Sequence, residues 1–190
     1  AGAIAETETD APQVAAATSA VETTAADDGG NADGTEGADT EPSWLDIELT
    51  DAATGETFTL ASLQGQVVAL EPMAVWCTSC KVQQDNVKQA YPQIAEDGVR
   101  YISLGVDPNE NEQTLARYAE RREYPWTFAQ SPVEFSRALA DLFGPQILSV
   151  PSTPLIVLDA DGELFTQELG FHGPDRLLEI LGEAATEGAA

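Results

Sequence analysis

Two cysteines, Cys77 and Cys80, are the only ones in a chain of 190 residues, and they stand three positions apart. At a helix start this spacing has a specific use. The first sulfur meets unpaired backbone N–H groups and the positive end of the helix dipole, both of which stabilise a thiolate. The thiolate attacks a disulfide, and the second thiol, one helical turn away, resolves the mixed disulfide that results. Cys77 is then the exposed nucleophile and Cys80 the resolving thiol, with no bound cofactor because the sulfurs carry the electrons. Competing uses of the pair fit less well. A zinc site needs two further ligands, and His172 is the single histidine. Haem attachment needs a histidine directly after the second cysteine, where Lys81 stands. A static disulfide closing so short a loop would constrain little chain. It remains the reading of a non-catalytic binding module.

The surrounding pattern must place the pair. Alternation over residues 44–51 predicts a strand, and a turn at Ala53-Thr54-Gly55 leads to a second strand in 56–60. The apolar run 67–71 reads as a strand buried on both faces. After Cys77 the spacing of Val82, Val87, Ala90 and Ile94 predicts a helix face, ended by Gly98. A buried strand follows at 99–107, then an amphipathic helix at 111–124, a short strand at 126–129 and a helix over 134–143. A hairpin at 154–170 and a helix from Gly173-Pro174-Asp175 complete the order. The expected fold class is α/β: a central mixed sheet with helices on both faces and an N-terminal β-hairpin extension. Ligand chemistry in such sheets sits at the carboxyl ends of the strands, where residues 76–80 fall.

The segment VVALEPMAVWCTSC resembles the active-site strand and turn of the thioredoxin superfamily, and residues 44–186 look like its TlpA/ResA-like thiol–disulfide oxidoreductase (redoxin) branch. Trp76 precedes the pair as in that family, and VPSTPLIVLDADGEL resembles its Val-x-x-x-Pro segment before a hairpin. The resemblance makes Pro154 a cis-proline that sets the Thr153 backbone against the cysteine loop, where an extended substrate strand could pair; Trp76 would wall the sulfurs. Glu71, six positions before Cys77, falls where thioredoxin carries a buried acid. Burial inside an apolar run should raise its pKa, which suits a proton acceptor for Cys80. Pro72 and Met73 replace the aromatic pair usual there, and the proline predicts a bulge or an early strand end. Thr78-Ser79 between the cysteines is not the family's usual pair, so no redox potential carries over. The resemblance further implies two kinds of partner: protein thiols or disulfides as substrate, and a second redox protein that resets the couple. A peroxiredoxin would carry Thr and Pro where Ala74 and Leu70 stand, and a copper chaperone a wider cysteine pair with a histidine. His172 is expected on the surface or in a cap, and Trp44 and Trp126 in packing.

Charge bounds the partners. Asp and Glu number 33 against 8 Lys and Arg, a net charge of -25. Nucleic-acid binding is excluded on this balance, and an anionic membrane surface would repel the chain. No apolar run approaches the ~20 residues needed to span a bilayer. Residues 1–43 hold ten acids, no basic residue and no aromatic, too little apolar surface to order. They are expected as a disordered acidic tail, with 187–190 a short C-terminal tail. The start at Ala1 is expected to be a processed or trimmed end, and the tail to tether the domain to an anchor lost there, giving an extracytoplasmic location; a cytoplasmic one is the alternative. Acids spread over the whole length point to a halophilic source, since salt screens their mutual repulsion. Thermal melts should therefore give a higher midpoint in about 2 M than in about 0.1 M KCl; equal midpoints would remove the halophilic reading.

Overall fold

The computed structural model describes residues 43–187. The acidic tail, Ser43 apart, and residues 188–190 lie outside the described residues. Eleven regular elements run in the expected order: β1 (Leu49–Thr50), β2 (Thr57–Phe58), β3 (Val68–Met73), α1 (Thr78–Glu96), β4 (Arg100–Gly105), α2 (Glu112–Arg122), β5 (Thr127–Gln130), α3 (Val133–Phe143), β6 (Leu155–Leu158), β7 (Leu164–Glu168) and α4 (Pro174–Glu187). The expected first strand is mostly a 3₁₀ turn, Trp44–Asp46, capped by the Ser43 hydroxyl, which accepts the Leu45 N–H at 3.3 Å. Trp44 turns its ring onto Phe135 and Phe143, so only Leu49–Thr50 remains to pair with β2. This hairpin is fastened to the main sheet through the Ala52 N–H, which donates to the Phe128 carbonyl at 2.8 Å.

The main sheet has the order β5-β4-β3-β6-β7, with β3, β4 and β5 parallel and β6 and β7 antiparallel. β3 is buried along its whole length and contributes to two cores. Its odd residues, Ala69 and Met73 among them, face a core shared with α1, α2, α4 and both cysteines. Val68 and Leu70 face the other, built on Phe135 and Leu139 of α3 with Ile147. Both faces of the sheet are thus closed, as parallel strands require.

The strand does not end early at Pro72, and no bulge forms there. β3 stays in parallel register with β4 through Pro72↔Leu104 and Met73↔Gly105. The carbonyls of Val67 and Met73 accept from Arg100 and Val106 on the β4 side. Backbone groups alternate sides along a strand, so Pro72 directs its missing N–H away from β4, toward β6. The β6 ladder stops at Leu70, so no hydrogen bond is lost. Glu71 consequently keeps its expected place in the ladder.

On α1 the buried face carries Gln83 and Gln84 along with Val87, Ala90 and Ile94, whereas Val82 is 50% exposed. Five residues before Val87, Val82 falls off the stripe that 3.6-residue periodicity defines, and the glutamines three and four before it fall on it. Phe135 is the largest fully buried side chain in the core away from the cysteines. Phe135→Ala should cost about 3–5 kcal/mol, read as a lower urea midpoint, while leaving the redox couple of the surviving folded protein unchanged.

Candidate active site

β3 ends at Met73, and a four-residue connection delivers Cys77 to the N-terminus of α1 as its capping residue, with φ −72° and ψ 113°. Its Sγ accepts the Cys80 N–H at 3.1 Å, the position a serine or aspartate oxygen takes in ordinary caps. Cys77 and Cys80 form a disulfide with their Cα atoms 5.3 Å apart. The same N–H would stabilise a Cys77 thiolate on reduction. Cys80 Sγ lies 3.3 Å from the Val150 carbonyl, an acceptor that favours its protonated thiol. The two sulfurs therefore stand in opposite fields, a donor at Cys77 and an acceptor at Cys80. The expectation of an exposed nucleophile is corrected: Cys77 is only 2% exposed. Cys77 belongs to the apolar core of the α1 face, and the Ser79 hydroxyl stands 3.4 Å from its sulfur while donating to the Pro151 carbonyl at 3.0 Å.

Those carbonyls belong to a 3₁₀ turn, Val150–Ser152, which lies near β3 ahead of β6. Thr153 and Pro154 follow it and are buried. The cis bond expected before Pro154 is not found: the Thr153–Pro154 peptide is trans. The reversal is made instead by Thr153, in the left-handed region at φ 45° and ψ 63°. A β-branched residue there costs roughly 1–3 kcal/mol. The Thr153 N–H donates to Val150 at 3.0 Å and so is already engaged, and its hydroxyl is buried without a partner.

Glu71 is 1% exposed and points to the same face as the cysteines. Its Oε2 accepts from the hydroxyls of Tyr101 at 3.2 Å and Ser103 at 3.3 Å, and Trp126 in turn donates its indole N–H to Ser103. Oε1 has no partner. Burial dominates over these hydrogen bonds and pushes the carboxyl up to about 8; the carboxylate in turn pushes the Tyr101 phenol upward, after burial itself.

The connection between β4 and α2 supplies residues that sequence reasoning missed. Asp107 accepts the Trp76 indole N–H at 2.6 Å, and Glu110 accepts the Val75 backbone N–H at 2.9 Å. Their only sequence signal is an acid-rich turn in an acid-rich chain. Trp76 itself is 59% exposed. It lines a cleft of about 310 Å³ with Ala74, Val106, Pro108, Leu148 and Pro151. His172 is not a surface residue but 4% exposed. Its backbone N–H donates to Gln83, its carbonyl accepts from Asn86, and its ring meets Glu168 at 3.0 Å, so it ties α1 to the loop before α4. Among the described residues no group of three or more His, Cys, Asp or Glu could hold a metal ion.

A helix capped by one sulfur of a Cys-x-x-Cys disulfide, set on this order of strands, defines a thioredoxin-like fold. The chain is a member of the AhpC/TSA family, whose family model matches residues 43–164. It is 28% identical over 116 residues to the thiol-disulfide oxidoreductase ResA of Halalkalibacterium halodurans, covering 61% of each chain. It is 29% identical over 117 residues to nucleoredoxin of Bos taurus, covering 61% of this chain and 26% of that one. The chain thus spans about a quarter of the nucleoredoxins it matches. Among solved structures, a thiol:disulfide interchange protein of the thioredoxin family from Chlorobium tepidum TLS superposes with a TM-score of 0.63 at 20% identity, over 73% of this chain and 92% of that one. An exposed lipoprotein thioredoxin from Streptococcus pneumoniae strain TIGR4 gives 0.56 at 22%, over 72% and 98%. These two share the fold.

Glu71 makes stability depend on pH with a definite sign. Its pKa rises from an ordinary 4.5 to about 8 on folding, so between those values the folded state binds a proton that the unfolded chain releases. Its contribution is complete below 4.5 and is lost as pH climbs through 8. Relative to Glu71→Gln, the wild-type chain should lose stability from pH 5 to pH 8.5, measured by urea midpoints; parallel curves would show that Glu71 does not titrate in this range.

Proposed function

We propose that the protein exchanges two electrons with thiols and disulfides of partner proteins through Cys77 and Cys80. The observation that carries this is the Cys77–Cys80 disulfide with Cys77 capping α1. In the reducing direction, the Cys77 thiolate attacks a partner disulfide, forming one S–S bond as the partner's breaks and releasing a partner thiolate, which takes a proton from solvent. Cys80 then loses its proton to the Glu71 carboxylate and attacks Cys77. The internal disulfide re-forms and the second partner thiolate leaves, to be protonated in turn. A second redox protein returns two electrons. With its pKa near 8, Glu71 is mostly protonated at pH 7 and donates when the internal disulfide is opened; its ionised fraction accepts in reverse. Trp76 is assigned to the surface that receives the partner chain, as the exposed wall of the cleft. Thr153 and Pro154, expected to share that role, are buried and the Thr153 N–H is bonded to Val150, so they are not assigned to it.

The proposed setting is extracytoplasmic and saline, with residues 1–43 as a tether. The composition of that segment supports this, as does the likeness to a protein described as an exposed lipoprotein. Near-complete burial of both sulfurs favours one competing reading, a scaffold with a static disulfide. Thiol trapping across graded glutathione buffers at high salt decides between them: a reversible two-electron midpoint supports exchange, and resistance to mild reductants supports the scaffold. If exchange holds, Cys80→Ser should accumulate a partner-linked mixed disulfide, Cys77→Ser should abolish insulin reduction, and Glu71→Gln should slow turnover with a changed pH profile.

A further inference from the structure

Glu110 is joined to the cysteine loop by a contact that the exchange steps do not use. Its Oε1 accepts the N–H of Val75, two residues before Cys77, while its Oε2 is buried and has no hydrogen-bond partner. From the same connection Asp107 takes the Trp76 indole N–H. Two consecutive residues leading to the nucleophile are therefore held by carboxylates. Neither carboxylate is in an ion pair among the described residues. A neutral acceptor could also hold the Val75 N–H, though less strongly, so the bracing does not require the charge of Glu110.

We propose that Glu110 is a positioning residue whose uncompensated charge biases the Cys77–Cys80 couple toward electron donation, making the protein a reductant of partner disulfides. This rests on the redox reading above. A negative charge fixed beside the loop disfavours the Cys77 thiolate, and with it the reduced form. Couples whose reduced form is stabilised are oxidants, and the converse holds here. The Cys80 N–H and the start of α1 act in the opposite sense, but they are backbone features and stay constant in side-chain variants. The other titratable groups near this loop are Asp107, on the same connection, Lys81 in the first turn of α1, and Glu71 in β3, which is mostly protonated at pH 7. Electrons pass from the Cys77 thiolate and Cys80 thiol to a partner disulfide. The partner leaves as a dithiol, its two protons drawn from Cys80 and from solvent, and a dithiol donor protein reloads the pair.

The test compares the full chain with Glu110→Gln and Glu110→Ala, by equilibration against glutathione and by Cys77 alkylation rate as a function of pH. Glu110→Gln keeps an acceptor for Val75 and removes the charge. It should move the equilibrium toward the reduced form by about tenfold, about 30 mV for a two-electron couple, with the Cys77 thiolate titrating at lower pH. An unmoved Gln variant overturns the proposal: a shift in Glu110→Ala alone would mean that Glu110 is only a brace. A shift of the Gln variant toward the disulfide overturns it too. Absence of any reversible couple in the wild-type chain would instead remove the parent reading.

Discussion

The ladder between β3 and β6 stops at Leu70, while β3 continues three residues further in register with β4. That difference in length leaves one edge of β3 unpaired over Glu71–Met73, in the middle of the sheet. Three features depend on the gap. Pro72 can occupy a central strand because its missing N–H points into it. The 3₁₀ turn Val150–Ser152 lies close by, bringing the Val150 and Pro151 carbonyls to Cys80 and Ser79. And the chain leaving β3 turns there into α1, so that Cys77 caps the helix against a backbone already in place.

Polar burial is concentrated on one face. Glu71, Tyr101, Ser103 and Trp126 form a connected set on the core face that also holds the cysteines, where Gln84 accepts from Tyr118. The opposite core, around Phe135 and Leu139, gathers Leu70, Ile102, Leu104 and Ile156. The division has a cost: an acid in a dry interior with one oxygen unpartnered is expensive to ionise, and the raised pKa of Glu71 is how that cost is expressed.

Much of this was legible in the sequence. The order of elements, the placement of Cys77 and Cys80 at a helix start and the burial of Glu71 follow from period and composition, because β3 is apolar on both faces and the residues around the pair carry strong turn and helix signals. What was not legible depended on contacts between distant segments. Periodicity alone puts Gln83 on the buried stripe, but the partner that satisfies its side-chain oxygen there, the His172 N–H, lies 89 positions away. Cys77 is covered by packing and by a hydroxyl that the Pro151 carbonyl orients, and the roles of Asp107 and Glu110 exist only once β4 lies beside β3. The resemblance to thioredoxins suggested a cis bond at Pro154, but Thr153 reverses the chain through its own backbone dihedrals.

The ties that complete the redox site are all long in sequence: Cys80 to Val150 spans 70 residues, Ser79 to Pro151 72, and Asn86 to His172 86. A growing chain therefore exposes its cysteines before it holds the segments that cover them. At roughly 5–20 residues per second the interval is on the order of 4–17 s, far longer than a helix needs to form. During that time α1 has no turn against its first residues and no loop against its flank, and both thiols are open to any oxidant or neighbouring nascent chain. Synthesis thus passes through a stage in which the cysteines are most reactive and least selective, and selectivity arrives with the C-terminal third of the protein.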